Sequence, residues 1–155
     1  MKKFLLFLVL GIVTLCSYGQ DYSLISEGVD NNGNYIVRVV VSTKKSPEKK
    51  AEDIIKHYAV RGVMFNGIAA AKGYSGQRAL ISDPNVEQTK KTWFDAFWNE
   101  GAYSRYATIV PSSLSVMKNK QTKMTETSAL VTISVGALKK YLEENSIIQG
   151  FSDLW

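Results

Sequence analysis

A dense turn signal, "DNNGN" at residues 30–34, leads into "YIVRVVVST" at 35–43, where four valines and an isoleucine occupy nine positions. β-branched residues at that density suit an extended, pleated backbone. The Asn/Gly cluster before them marks a tight reversal. The preceding run, "DYSLISEGV" at 21–29, has strand character as well, so the two predict an antiparallel hairpin. Only Arg38 interrupts the apolar character of the second run, which is therefore expected to be a central strand covered, or nearly covered, on both faces.

Other elements must supply that cover. Ser46-Pro47-Glu48 reads as a helix start, with a capping hydroxyl, a proline in the first turn and an acid beside it. Ala51, Ile54, Ile55, Tyr58, Ala59 and Gly62 follow at helical spacing, and the Ile54/Ile55/Tyr58 face is expected to pack on the hairpin. Residues 63–68 extend this helix or form a short strand. Residues 73–77 read as a flexible surface loop, and "RALIS" at 78–82 is weakly strand-like. Asp83 and Pro84 open a second helix near Asn85 that stops at Gly101. Residues 105–117 and 124–135, joined by the charged turn "KNKQTK", predict a second hairpin, with Pro111 marking an edge or a bulge. "ALKKYLEEN" is a short closing helix with Leu138, Tyr141 and Leu142 on one side. Ile147, Ile148, Phe151, Leu154 and Trp155 then make the last ten residues too apolar for a free tail. The order β-β-α-(β)-α-β-β-α predicts an α+β, two-layer sandwich: a mainly antiparallel sheet of two hairpins packed with two to three helices.

The first nineteen residues have a different character. Lys2 and Lys3 precede an unbroken apolar run from Phe4, and Ser17 and Gly19 are small residues at the spacing that signal peptidase reads. Residues 1–19 are thus expected to be a signal peptide and 20–155 a single α+β domain, periplasmic or extracellular after cleavage near Gly19. Lipid anchoring at Cys16 is the alternative, disfavoured by Leu15 where a lipobox carries a small residue. The apolar run falls short of the roughly 20 residues a membrane span needs, so no transmembrane segment is expected. Cys16 is the chain's only cysteine, and the mature domain must do without disulfides. Loss of Lys2 and Lys3 lowers the formal charge from +5 to +3, a mild excess that serves solubility and gives no ground for nucleic-acid binding.

"TWFDAFWNEGAYSRY" at 92–106 puts six aromatic residues into fifteen positions of a chain that is 11% aromatic, so it is either a binding platform or a core. On a helix, Trp93, Phe97, Phe94 and Trp98 fall within an arc of about 140°, as a core-facing side requires. Phe94 and Phe97, at its middle, are expected to be buried, and Trp93 or Trp98 partly exposed. Tyr103 and Tyr106 lie beyond Gly101, in the following turn and strand.

Catalytic chemistry finds little support. His57 is the only histidine, and Asp53 one helical turn earlier reads as its i,i+4 partner on a polar flank. "GYSGQ" places Ser75 among glycines but lacks the G-x-S-x-G elbow, and the nearby glycines match neither phosphate- nor dinucleotide-binding patterns. The Glu52-Asp53 and Glu143-Glu144 neighbours point about 100° apart on a helix and share no cleft. The lysines, scattered in pairs over turns and helix faces, read as solvated surface. No catalytic residue, metal ligand or cofactor is expected.

"KKAEDIIKHYAVRGVMFNGI", "WFDAFWNEGAYSRY" and "ALKKYLEENSIIQGF" together resemble a family of small, signal-peptide-bearing proteins of Gram-negative bacteria that carries no assigned activity. The resemblance covers about half of the mature chain and implies export without implying any chemistry. A more distant likeness to small domains of cell-envelope lipoproteins and flagellar assembly factors concerns architecture alone. The function expected is that of an exported, non-catalytic cell-envelope protein acting by protein–protein interaction, with a protein partner or a homo-oligomer. The alternative is a small-ligand or glycan-binding protein using Trp93, Trp98, Tyr74 and Tyr103 with the 66–78 loop. A hydrolase built on Ser75 or an acid pair ranks last.

Overall fold

The computed structural model describes residues 21–44 and 50–150. The expected signal peptide with Cys16, the expected helix start at Ser46-Pro47-Glu48 and the closing Phe151, Leu154 and Trp155 lie outside the described residues. β1 (Asp21–Val29) and β2 (Tyr35–Thr43) form the expected antiparallel hairpin. Its turn is tied by Asp30, whose carboxylate accepts from the Asn32 and Asn34 amides and the Asn34 side chain. A second antiparallel unit comprises β3 (Ala107–Ile109), β4 (Ser115–Lys118) and β5 (Thr125–Ile133). β2 pairs with β5 over its whole length, from Tyr35 opposite Ile133 to Thr43 opposite Thr125. The five-stranded sheet runs β1-β2-β5-β3, with β4 following β3 along the outer edge of β5.

One expected strand is split. β3 ends before Pro111, which has no amide to give the ladder, and Ser112 turns through a left-handed φ of 61°. The Ser113 hydroxyl accepts from the Leu130 amide at 3.1 Å and donates to the Val110 carbonyl at 2.7 Å, standing in for the interrupted ladder until Ser115 rejoins Ser128.

Helices cover one side of the sheet. α1 (Ala51–Phe65) buries Ile55, Ala59 and Val63, with Ile54 and Tyr58 partly covered. It passes β1 so closely at Gly62 that an added Cβ would lie 2.4 Å from a Leu24 methyl. The second helix is interrupted at Lys90, giving α2 (Val86–Thr89) and α3 (Lys91–Asn99). Gly101, at φ 73°, makes the expected stop before a 3-10 turn at Ala102–Tyr106. Phe94 and Phe97 are buried, as the helical arc required. α4 (Val135–Glu144) buries Leu138 and Leu142. The fold is α+β with an antiparallel sheet and helices packed on it. Among the described residues no helix is long and apolar enough to cross a membrane.

Three local expectations are corrected. β2 is central, but helices cover only its Val37, Val39 and Val41 side; Ile36 and Val40 are half-buried and Arg38 is exposed. Its valine density reflects fitness for a pleated surface more than two-sided burial. The 66–78 segment is a small hairpin arm: Ile68 and Gln77 exchange backbone hydrogen bonds, as do Ala71 and Tyr74. Lys72 and Gly73 turn with φ of 53° and 81°, the paired left-handed geometry of a two-residue hairpin loop. Ala69 docks the arm on the edge of β1, accepting from the Ser26 amide and donating to the Leu24 carbonyl. "RALIS" is no strand; the Leu80 and Ile81 amides donate to the Val63 and Met64 carbonyls, satisfying the last turn of α1.

Candidate functional site

The aromatic set expected to bind does not form one platform. Trp93 lies flat on Phe97, with ring centroids 4.9 Å apart and planes 11° from parallel, and its indole N–H donates to Asn145 at 3.2 Å. Trp98, on the other side of Phe97, packs against His57 at 4.6 Å. Tyr103 reaches the same imidazole from the 3-10 turn at 5.4 Å, nearly edge-on. Tyr74 is 48% exposed but sits on the hairpin arm, against the β1 backbone at Gly28. Trp98 and Tyr103 are therefore brought together around His57, whereas Trp93 and Tyr74 belong to other surroundings. The pairing expected of His57 with Asp53 is absent among the described residues; Tyr58, Trp98 and Tyr103 surround the imidazole instead. Its pKa is lowered, first by burial and then by the nearby Arg61 charge, with Glu87 opposing, so the ring is neutral at neutral pH.

Arg61 and Glu87 brace this region. The guanidinium grips the carboxylate with two bonds of 2.5 and 2.8 Å, tying α2 to α1, and lies 5.0 Å from the Phe65 ring centroid. The hydrogen bonds from Arg61 hold Glu87 below the usual carboxylate range. The Trp98 indole N–H is buried without a hydrogen bond of good geometry, yet it too contributes to lowering Glu87. Exposed Ser75, on the hairpin arm, belongs to a different part of the fold from this histidine. Among the described residues no cluster of His, Cys, Asp and Glu could hold a metal ion.

A second arrangement occupies the sheet face that the helices leave open. Arg38 sits at its middle. Ile25 of β1 and Leu130 of β5 flank it across the strands, and Ile36 and Val40 lie two residues to either side along β2. A β-bulge aims an acid at it: the register slips between Ser26 and Gly28, leaving Glu27 as the extra residue, and Gly28 takes a φ of 149° that side chains rarely adopt. One Glu27 oxygen accepts from Arg38 Nε at 2.9 Å and the other from Lys72 Nζ at 2.6 Å. The bonds from Lys72 and then Arg38 lower the Glu27 pKa. One anion thus fixes two cations, one on the strand and one at the tip of the arm, and leaves a positive excess among four aliphatic side chains. The face continues to Met117 on β4, opposite Glu126 and 65% exposed.

From sequence, Arg38 was only the interruption of an apolar run. The usable signal was a charge flanked at i−2 and i+2 by Ile36 and Val40, opposite an acid-bearing strand across a well-marked turn. The bulge and the arm that complete the triad had no such signal. Comparison with protein-family profiles, curated proteins and solved structures gives no match, which leaves the geometry of these two surfaces as the ground for assigning a function.

Proposed function

We propose that this is an exported, non-catalytic protein of the cell envelope that binds an acidic segment of a protein partner through the open face of its sheet. The observation that carries this reading is Arg38, hydrogen-bonded to Glu27 and flanked by Ile25, Ile36, Val40 and Leu130. Arginine held in place among apolar groups is what the energetic centres of protein interfaces are made of, because little side-chain entropy is left to lose on binding. The excess positive charge of the Arg38–Glu27–Lys72 group selects a carboxylate-bearing occupant and weighs against a second copy, whose equivalent cations would meet these. Export rests on the Lys2/Lys3 start, the apolar run and the small-residue exit at Gly19.

The test is photo-crosslinking in the native envelope. A crosslinking residue in place of Val40 is expected to give an adduct with a different protein, through an acidic peptide. Arg38→Glu should reduce its yield about tenfold, the effect of losing one charged interface contact. The same residue in place of Thr89, on the helix side, should give none. A self-adduct, or an adduct indifferent to Arg38, refutes the assignment. Mass spectrometry of the mature chain checks export separately: cleavage near Gly19 leaves a chain beginning at Gln20, whereas lipidation would retain Cys16.

A further inference from the structure

A shallow pocket of about 300 Å³ opens on the first turns of α1, on the helix side of the molecule, lined by Lys50, Asp53, Ile54, His57, Tyr58 and Tyr103. Three of its lining residues carry rings set steeply to one another, His57 at 77° to Tyr58 and at 85° to Tyr103. Its polar groups are varied and balanced. Lys50 and Asp53 carry opposite charges and neither is joined in an ion pair among the described residues. The Asp53 carboxylate is near enough to Tyr103 to add to the raising of its hydroxyl pKa by burial. A neutral imidazole contributes one donor and one acceptor, each tyrosine hydroxyl can act as either, the ammonium donates and the carboxylate accepts.

We infer that this pocket binds one uncharged sugar ring. With opposite charges offsetting one another, no ion is favoured. Aromatic walls fit the apolar C–H face of a pyranose, while closely spaced donors and acceptors fit its hydroxyls. The volume, at the lower end for ligand sites, holds a single ring rather than an extended chain. Trp98, packed behind His57 with its N–H buried, makes the site self-reporting.

The test follows tryptophan fluorescence and amide NMR shifts of the mature protein, titrated with glucose, galactose, mannose and N-acetylglucosamine and with their short oligomers. At least one should bind saturably at millimolar concentration, with shifts centred on residues 50–58 and 103. Asp53→Asn and Lys50→Met alter exposed side chains and leave the core intact; either should weaken binding about tenfold, the effect of losing one charged hydrogen bond. Tyr74→Ala and Arg38→Glu should leave sugar binding unchanged, which separates this site from the open sheet face. Equal affinity for monosaccharide and oligomer would identify a free sugar as the ligand, and preference for the oligomer the end of a glycan. Absence of saturation by every sugar, or binding indifferent to Asp53 and Lys50, overturns the inference.

Discussion

The two faces of one sheet are built from alternate residues of the same strands, yet they differ in kind. Toward the helices, Val37, Val39 and Val41 of β2 and Ala129, Val131 and Ile133 of β5 are fully buried. Toward the outside, Ile36, Arg38 and Val40 stand beside Ser128, Leu130 and Thr132, all half-buried or exposed. Strand alternation makes this separation possible, because a side chain can change on one face without disturbing the other. The inner face carries the burial that stabilises the fold. The outer face retains aliphatic groups, but around a fixed charge, a composition suited to meeting another surface.

The sharpest way to break the comparison is to make equivalent cuts on both faces of β5. Ile133→Ala should cost about 2–5 kcal/mol in urea unfolding, since a cavity opens in a closed core. Leu130→Ala, three residues earlier on the outer face, should cost less than about 1 kcal/mol. Equal losses would mean that the outer face is covered in the native protein. Gly62→Ala comes next: its new methyl meets Leu24, and adjustment of that side chain should cost about 1–3 kcal/mol in the same assay.

Acid should also act on the helix side. His57 has a lowered folded pKa, so below its unfolded value of about 6.5 the unfolded chain takes up the proton first and stability declines until the folded value is passed. Glu87 is lowered as well, so its contribution is present above the ordinary carboxylate pKa and is lost as pH falls through the folded value. Stability measured against pH should decline in two successive zones, and His57→Gln should flatten the upper one while shifting the lower only slightly, through the loss of its charge near Glu87. A profile unchanged by His57→Gln would show that the imidazole titrates normally. The smallest effect belongs to the outer face: Arg38→Ala should leave the urea midpoint where it is while removing crosslinking from position 40. A large loss of stability would make Arg38 structural and undo the contrast between the faces.

The sequence carried the architecture well where one short-range rule decided the outcome. "DNNGN" set the first hairpin, the aromatic arc put Phe94 and Phe97 inside, and Gly101 ended α3. It misled where composition stood in for topology. Valines at 37, 39, 40 and 41 were read as a strand enclosed on both sides, but only the placement of the helices decides which of them is enclosed. "GYSG" looked like a flexible loop because glycines permit both disorder and tight turning; the bonds between Ile68 and Gln77 select the latter. The binding set was half legible. Trp98 and Tyr103 meet across a helix stop at Gly101, but their common neighbour His57 is brought from more than forty positions away by packing alone.

The β2–β5 ladder has a consequence for how the molecule comes into being. Residues 35–43 find one of their two partner strands at once in residues 21–29 but the other only in residues 125–133, so the middle of the sheet cannot close until most of the chain is available. Closing so long a loop is entropically costly before any contact rewards it, and such topologies fold slowly. Until residues 125–133 arrive, the first hairpin keeps one long unpaired edge and an uncovered row of valines at 37, 39 and 41, the kind of surface that pairs wrongly with other chains.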